Sequence, residues 1–189
     1  IEQIDALTNI ANEFSSFAKM PNPHEGRLEL VALVRGVSEV FAAADKMELE
    51  ISAKPKEIFV LADKDQFVRV FNNLIKNATQ AIPNDQEGKI SIEMFIKADK
   101  VHVRLSDNGV GIDPSKVGKI FVPYFTTKST GTGLGLAMVR QIIENHQGTI
   151  DFDTEFGVGT TFEIVLPVTE WGGDFRRGDR RLDFIPLIE

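Results

Sequence analysis

The chain contains no cysteine among its 189 residues. A disulfide framework, a thiolate metal site and a thiol nucleophile are therefore excluded. No apolar run approaches the ~20 residues that a membrane-spanning helix needs, and no stretch resembles a signal peptide. Basic residues are fewer than acidic ones: the chain has 21 Lys and Arg and 28 Asp and Glu, which gives a net charge of -7. We expect a soluble, cytoplasmic chain that does not bind nucleic acid, since it has no global positive field.

The composition predicts one globular domain with short appendages, since 42% of the residues are hydrophobic and 26% are charged. Residues 1–20 place apolar side chains three and four positions apart, which predicts a single helix with a narrow stripe for a partner helix. Two prolines and a glycine within "MPNPHEG" make residues 21–27 a linker. The compact domain is expected over residues 28–168, and residues 169–189 form a tail without a predicted role.

Hydrophobic periodicity within the domain predicts three helices, over residues 31–44, from Asp63 to about Ile82, and over residues 134–145. Alternating apolar residues predict strands over residues 47–53, 58–62, 89–96 and 100–107, and two more between 148 and 167. Hairpin-linked strands dominate, so a doubly wound βαβ array is excluded. The predicted fold class is α+β: a two-layer α/β sandwich with a mixed, mostly antiparallel sheet that three helices cover on one face.

A glycine-rich stretch, "GTGLGLAMVRQIIENHQG", leads directly into the last predicted helix. The first N–H groups of a helix lack internal partners and carry partial positive charge, so Gly131, Gly133 and Gly135 would expose backbone suited to a phosphate. The alternative is a flexible loop that caps an ordinary helix. The spacing matches neither the P-loop nor the dinucleotide-binding pattern.

A second motif, "DNGVGI", ends a predicted strand at Asp107. It supplies one buried acceptor, with Gly109 and Gly111 allowing backbone to approach a flat ring. The alternative is a hairpin at the Asn-Gly pair. Pro114 stands at a helix-start position, which argues against a returning strand.

A third feature is a pair of amides, Asn73 and Asn77, on one face of the predicted central helix. A structural amide with satisfied hydrogen bonds is one interpretation. The other is that the two oxygens serve a hard cation such as Mg²⁺, which binds protein oxygens and phosphate together.

Five segments stand in the order of the N, G1, F, G2 and G3 boxes of one protein family: "NLIKNA", "DNGVGI", "FVPYFTTK", "GTGLGL" and "GVGTTF". The chain thereby resembles the sensor histidine kinases of two-component systems, within the ATPase superfamily of gyrase, heat-shock chaperone, histidine kinase and mismatch-repair proteins. The resemblance covers roughly residues 28–168. It implies the Bergerat ATP-binding fold, ATP and Mg²⁺ as cofactors, and transfer of the γ-phosphate to a histidine for onward transfer to a response-regulator aspartate.

The resemblance also implies roles for single residues. Asp107 would accept a hydrogen bond from the adenine amino group, with Gly109 and Gly111 beside the base. Asn77 would ligate Mg²⁺, Asn73 would support it, and Lys128 would neutralise phosphate charge, so these three form the implied catalytic set. The segment 113–130 would be the ATP lid, in which Phe121 and Phe125 are either docking aromatics or core. The other implied nucleotide-binding residues are Thr126, Thr127, Gly131, Thr132, Gly133, Leu134, Gly135 and Thr160.

Two departures from the family pattern concern the central helix. Many relatives carry a lysine and an aromatic residue shortly after the N box, where this chain has Gln80 and Ala81. Phosphate charge must then be met elsewhere. Gyrase-like members place a catalytic glutamate where Asn73 stands, which argues against a hydrolase. Transfer to a histidine tolerates the absence of a strong base, because it depends mainly on positioning and charge neutralisation.

The three histidines do not stand in a phosphoacceptor context: His24 lies in the linker, His102 in a strand and His146 at a helix end. Residues 1–20 resemble the end of a dimerisation and phosphoacceptor hairpin, particularly of the nitrogen-regulation type. We expect the acceptor helix to lie upstream, so this chain alone should not autophosphorylate. The implied partners are ATP or ADP, that hairpin and a response-regulator receiver domain. The full-length protein would be a homodimer, and the chain the cytoplasmic part of a sensor that a membrane can anchor. The alternative function is a nucleotide-dependent regulatory binding module, anti-sigma-like or a degenerate kinase, without phosphotransfer.

Overall fold

The computed structural model describes residues 22–42, 47–128 and 131–168. The predicted N-terminal helix (1–20), the tail (169–189) and two lid residues (129 and 130) lie outside the described residues. Among the helices that are described, none has the length and apolar character of a membrane span. The elements in chain order are β1 (Gly26–Glu29), α1 (Leu30–Ala42), β2 (Met47–Lys54), β3 (Phe59–Ala62), α2 (Lys64–Ala81), β4 (Gly88–Lys97), β5 (Lys100–Asp107), a short 3-10 helix (Val117–Lys119), α3 (Gly135–Asn145), β6 (Thr149–Glu155) and β7 (Gly159–Pro167).

The main sheet has five strands in the order β2-β4-β5-β7-β6. Strand β2 runs parallel to β4, and every other neighbouring pair is antiparallel. Strands β4 and β5 form a hairpin whose two turn residues, Ala98 and Asp99, have positive φ. This pattern confirms the predicted mixed, mostly antiparallel sheet.

The hydrophobic core lies between this sheet and the three helices, on one face of the sheet only. Alternating residues of the central strands are buried there, such as Val101, Val103 and Leu105 of β5. Helix α2 contributes a continuous apolar face: Phe67, Val70, Phe71, Leu74, Ile75 and Ala78. The opposite face of the sheet is polar and exposed, with Lys89, Ser91, Glu93 and Arg104. The predicted α+β sandwich with one covered face is confirmed.

The start of α2 is fixed by Asp63, the residue that follows β3. Its carboxylate accepts hydrogen bonds from the backbone N–H groups of Asp65 (3.0 Å) and Gln66 (3.1 Å), which are unpaired within the helix. The second carboxylate oxygen accepts the N–H of His24 at 2.8 Å. Asp63 is therefore the N-cap of α2, and its carboxylate also holds the chain that enters the domain.

His146 is buried beside this cap, at the C-terminal end of α3. Its Nε2 accepts the N–H of Asp63 at 3.1 Å and its Nδ1 lies 2.7 Å from the carbonyl of Ile142. Its ring meets the edge of Phe67, with centroids 5.0 Å apart. Both ring nitrogens are thus used within the core, so His146 has a structural position.

The prediction that residues 21–27 form a linker needs a correction, because β1 begins at Gly26. It pairs antiparallel with β3, Gly26 opposite Ala62, in a separate two-stranded sheet. Each of these strands has four residues. Four residues are too few for alternation to indicate a strand, and β1 lacks the continuous apolar run, residues 58–62, that predicted β3.

Candidate functional site

The carboxylate of Asp107 stands at the end of β5, on the face that the helices cover. Strand alternation places it in register with the buried Val103 and Leu105. Burial raises the pKa of Asp107, although hydrogen bonds from the backbone of Gly109 and Thr160 oppose that rise. The bond from Gly109 N–H measures 2.9 Å. Within the described part of the chain, Asp107 is therefore a partly desolvated carboxylate with backbone donors as partners.

The loop after Asp107, residues 108–112 (the G1 loop), runs between α2 and the β6–β7 turn. The N–H of Val110 donates to the Ala81 carbonyl at 2.9 Å, and the Val110 carbonyl accepts the N–H of Gly157 at 2.8 Å. Gly111 has a φ of +66°, and a Cβ there would overlap the Glu155 carbonyl. The packing of the chain on itself thus requires glycine at this position, independently of any ligand.

Two threonines lie under the G1 loop. Thr160 is buried, and its hydroxyl lies 3.0 Å from the hydroxyl of Thr154. The Thr154 hydroxyl accepts the N–H of Ile112 at 3.0 Å. Thr160 was expected at the site, whereas Thr154 was not. Its place at an inward position of β6, next to the turn in "GVGTTF", is the signal that could have found it.

The two amides of α2 are half-buried and lie four residues apart on one face. Asn73 donates from Nδ2 to the Arg69 carbonyl at 2.9 Å. Its Oδ1 faces the first turn of α3, since a Cβ on Gly135 would lie 2.6 Å from that oxygen. Asn73 therefore lies against the first turn of α3.

The oxygen of Asn77 accepts a hydrogen bond from the lid. Lys128 donates from Nζ to Asn77 Oδ1 at 3.1 Å and to Gln80 Oε1 at 2.6 Å. Burial lowers the pKa of Lys128, and the nearby charge of Lys76 lowers it further. Gln80 was not among the predicted site residues, yet it stands three positions after Asn77 and thus on the same helical face.

The base of the lid is held by contacts between the F and G2 segments. The N–H of Tyr124 donates to the Gly133 carbonyl at 2.9 Å. Gly133 has a φ of +70°, and a Cβ there would lie 2.5 Å from the Tyr124 carbonyl carbon. Thr126 accepts the N–H of Lys128 on its hydroxyl at 3.1 Å. These contacts join the described parts of the F and G2 segments, and Lys128 extends from them towards α2.

The remaining predicted residues fall into two groups. Phe121 packs on Phe152 and Phe162, with centroids 5.9 and 6.4 Å apart, and Leu134 is 1% exposed, so both side chains belong to the core. The others lie in the F and G2 segments, where Phe125 and Thr132 are half-buried and Thr126, Thr127 and Gly131 are exposed. Phe121 is thus a core aromatic, the second of its two predicted interpretations.

The oxygen donors of the site fit a hard cation. No group of three His, Cys, Asp or Glu that could hold a metal occurs among residues 22–42, 47–128 and 131–168. Asn77 Oδ1 already accepts from a cationic ammonium group. Mg²⁺ commonly takes one or two protein oxygens and completes its shell with water and substrate phosphates. The amide oxygen of Asn77 is therefore chemically suited to a hard cation, and its role as a Mg²⁺ ligand stays a prediction.

Comparison with known proteins gives the family. The family model described as "Histidine kinase-, DNA gyrase B-, and HSP90-like ATPase" matches residues 62–170. The chain belongs to this ATPase family. The match begins at the end of β3 and includes every segment described above: α2, the G1 loop, the lid and the start of α3.

Relatives within the family are sensor histidine kinases. A putative NtrY-like sensor histidine kinase of Rickettsia conorii is 33% identical over 171 residues, which are 90% of this chain and 28% of that protein. The chain thus spans less than a third of that relative. The catalytic domain of the histidine kinase ThkA has a TM-score of 0.70 and 32% identity, covering 78% of this chain and 99% of that domain. ThkA in complex with the response regulator TrrA has a TM-score of 0.73 and 27% identity, covering 89% of this chain and 49% of that one.

Proposed function

We propose that residues 26–168 are the catalytic domain of a sensor histidine kinase, which binds ATP with Mg²⁺ and transfers the γ-phosphate to a histidine on a dimerisation hairpin. The observation that carries the proposal is the Lys128–Asn77 contact at 3.1 Å. In this contact, an amide oxygen of α2 accepts a hydrogen bond from an ammonium group of the lid. In a kinase site, Mg²⁺ and a lid lysine are the cations that meet a triphosphate.

Asp107 forms the base end of the proposed site. Its partly desolvated carboxylate accepts a hydrogen bond from the exocyclic amino group of adenine, while guanine presents an acceptor at the corresponding edge. A buried acceptor that faces another acceptor remains unpaired, which costs about 1–3 kcal/mol. The site should therefore bind ATP and ADP and discriminate against GTP.

Asn77, Asn73 and Lys128 form the phosphate end. Asn77 ligates Mg²⁺, which when bound neutralises the charge of the phosphates. Asn73 fixes the start of α3, where free backbone N–H groups favour phosphate oxygens. Lys128 supplies the positive charge that the family pattern usually places after the N box, the stretch where this chain has Gln80 and Ala81.

The acceptor histidine and the downstream partner come from outside residues 26–168. The transfer requires an imidazole held in line with the γ-phosphate, and its nucleophilic nitrogen needs no strong base from the ATP site. The hairpin of a homodimeric kinase would supply that histidine. The complex of ThkA with a response regulator supports a receiver domain as the next partner. A cytoplasmic position, with or without a membrane anchor elsewhere in the protein, fits these partners.

Nucleotide selectivity tests the proposal. Calorimetric titration of the wild-type chain should give at least tenfold higher affinity for ATP than for GTP, since 1.4 kcal/mol corresponds to tenfold. Asp107→Ala should weaken ATP binding by about tenfold and remove most of this selectivity. Asp153→Ala, an exposed carboxylate on the outer face of β6, is the matched control and should leave both affinities unchanged. Equal affinities for ATP and GTP in the wild type would contradict the proposal.

A further inference from the structure

Asn108 makes an unusual set of contacts with the connection between α2 and β4. Its Oδ1 accepts the N–H of Lys89 at 2.8 Å, and its Nδ2 donates to the carbonyl of Glu87 at 2.9 Å. Its own N–H donates to the Lys89 carbonyl at 3.2 Å, and its carbonyl accepts from Nε2 of Gln86 at 2.6 Å. Backbone and side chain together therefore form four hydrogen bonds with residues 86–89.

These contacts extend the pairing of β4 and β5 by one residue beyond the end of their backbone register. The β4–β5 register ends with Ile90 opposite Asp107. One residue further, the Asn108 side chain replaces a backbone carbonyl as the acceptor for Lys89. Because the side chain takes this role, the backbone after Asn108 can leave the strand direction and turn towards α2. The N–H of Gly109 then reaches the Asp107 carboxylate.

The turn therefore joins the two ends of the site. Val110 follows at once and donates its N–H to Ala81, the last residue of the helix that carries Asn77. Gly109 lies against the same residue, since a Cβ there would be 2.6 Å from the Ala81 carbonyl oxygen. Asp107 is thus held relative to α2 through the segment that Asn108 fixes.

We propose that Asn108 is a positioning residue that sets the adenine selectivity of Asp107 by fixing the G1 loop to residues 86–89. The inference rests on the proposed function, because it assigns Asp107 to the base. An amide is the side chain that fits, since it offers an acceptor to Lys89 and a donor to Glu87 at once. Aspartate keeps the acceptor but places a carboxylate oxygen against the Glu87 carbonyl, and alanine loses both bonds.

The test combines nucleotide titration with hydrogen exchange, on Asn108→Ala, Asn108→Asp and the control Asn84→Ala in the same connection. Asn84 is exposed, so its variant should behave as wild type. Asn108→Ala should lower the ratio of ATP to GTP affinity about fivefold to tenfold, and Asn108→Asp should lower it less. The gain in ATP affinity on adding Mg²⁺ should stay within twofold of wild type, because Asn77 and Lys128 keep their contacts. Exchange of the Gly109 and Val110 amides should be faster in the nucleotide-free Asn108→Ala chain.

The outcomes separate the possible roles. A folded Asn108→Ala chain with the wild-type nucleotide ratio, or with unchanged exchange at Gly109 and Val110, overturns the inference. A parallel loss of selectivity and of the Mg²⁺ gain also overturns it, because the residue would then stabilise the domain as a whole. If Asn108→Ala does not fold, Gln86→Ala removes one exposed contact to the same residue and should show a smaller shift in the same direction. A wild-type chain without ATP selectivity would contradict the proposed function instead, and the exchange measurement would then decide whether Asn108 fixes the loop.

Discussion

Asp63 and Asp107 are both withdrawn from solvent, yet their pKa values move in opposite directions. Burial raises the pKa of Asp107 more than its two backbone partners lower it. At Asp63 burial acts in the same sense, but the backbone N–H groups of His24, Gln66 and Asp65 outweigh it and lower the pKa. The ionised form is thus stabilised by the fold at the helix cap and disfavoured at the proposed base site, as expected where a ligand completes the hydrogen bonds.

The cap makes stability depend on pH in one direction. The pKa of Asp63 is lower in the folded chain than in the unfolded chain. The contribution of its carboxylate to the free energy of unfolding is therefore complete above the unfolded pKa of about 3.9, and it is lost as the pH falls through the folded pKa. Asp63→Ala should lower the free energy of unfolding by about 1–2 kcal/mol at pH 7. Urea denaturation at pH 7, 5 and 3 should show this difference constant at the first two values and smaller at pH 3. Asp65→Ala, in the exposed first turn of α2, is the control. If the difference in free energy of unfolding between wild type and Asp63→Ala were larger at pH 3 than at pH 7, the lowered pKa of Asp63 would be contradicted.

Asn77 can be tested through the metal. If its oxygen ligates Mg²⁺, Asn77→Ala should reduce the gain in ATP affinity on adding Mg²⁺ by about tenfold, with little change in metal-free binding. Asn72→Ala removes the same side chain from a different position on the helix and should keep the gain. Titration calorimetry with and without Mg²⁺ measures it, and thermal melting confirms that both variants are folded. A folded Asn77→Ala chain with the full Mg²⁺ gain would make Asn77 a structural amide.

At the scale of elements, the lid contacts α2 through a charged side chain. Lys128 is the lid residue that contacts Asn77 and Gln80. Lys128→Ala should weaken ATP binding about tenfold, since hydrogen bonds between charged groups contribute about 1.5–3 kcal/mol. ADP binding should fall less if the ammonium meets the γ-phosphate. Lys119→Ala changes an exposed lysine of the same segment and should alter neither affinity. If Lys128→Ala weakened ATP and ADP binding equally, Lys128 would not contact the γ-phosphate.

Elements with strong periodicity, or with a continuous apolar run such as residues 58–62 for β3, could be predicted from the sequence, whereas β1 could not. The helical face of α2 repeats over several turns, and β4 and β5 alternate over their full lengths, so each was predicted within one or two residues. Strand β1 has four residues and gains its conformation from pairing with β3, which local sequence does not encode. The predicted last helix begins one residue later, at Gly135.

The same limit applies to the site. Asp107 and Asn77 could be identified because each lies within a motif. The structure places Asp107 on the covered face of the sheet and Asn77 on α2, one of the helices that cover that face. Gln80, Asn108 and Thr154 act through contacts with residues between 19 and 48 positions away in sequence. Only the folded register of α2, β5 and β6 brings such partners together.

At the scale of the whole molecule, the position of the histidines gives a further prediction. His146 is buried with both nitrogens engaged, and His102 stacks on Phe95 on the opposite, polar face of the sheet. The chain should therefore bind ATP without labelling itself from γ-labelled ATP. Supplied with a dimerisation hairpin from its own kinase, it should label that hairpin slowly, because the covalent link that raises effective concentration is absent. Gel autoradiography after acid and base treatment identifies phosphohistidine.

Two results would contradict this picture in different ways. Acid-labile label on the isolated chain that disappears in His24→Ala would place an acceptor in the segment before β1. ATP binding without label on either chain would favour the regulatory binding module over the kinase.

The two outermost strands of the main sheet, β2 and β6, both carry carboxylates on their exposed positions. These are Glu48 and Glu50 on one edge and Asp151, Asp153 and Glu155 on the other. An exposed strand edge is a template for pairing with another chain, and charged side chains are a common protection against it. Two copies that met along these edges would bring like charges together. Within the part of the chain that the structure describes, these carboxylates therefore disfavour pairing of two copies along the edges of the sheet.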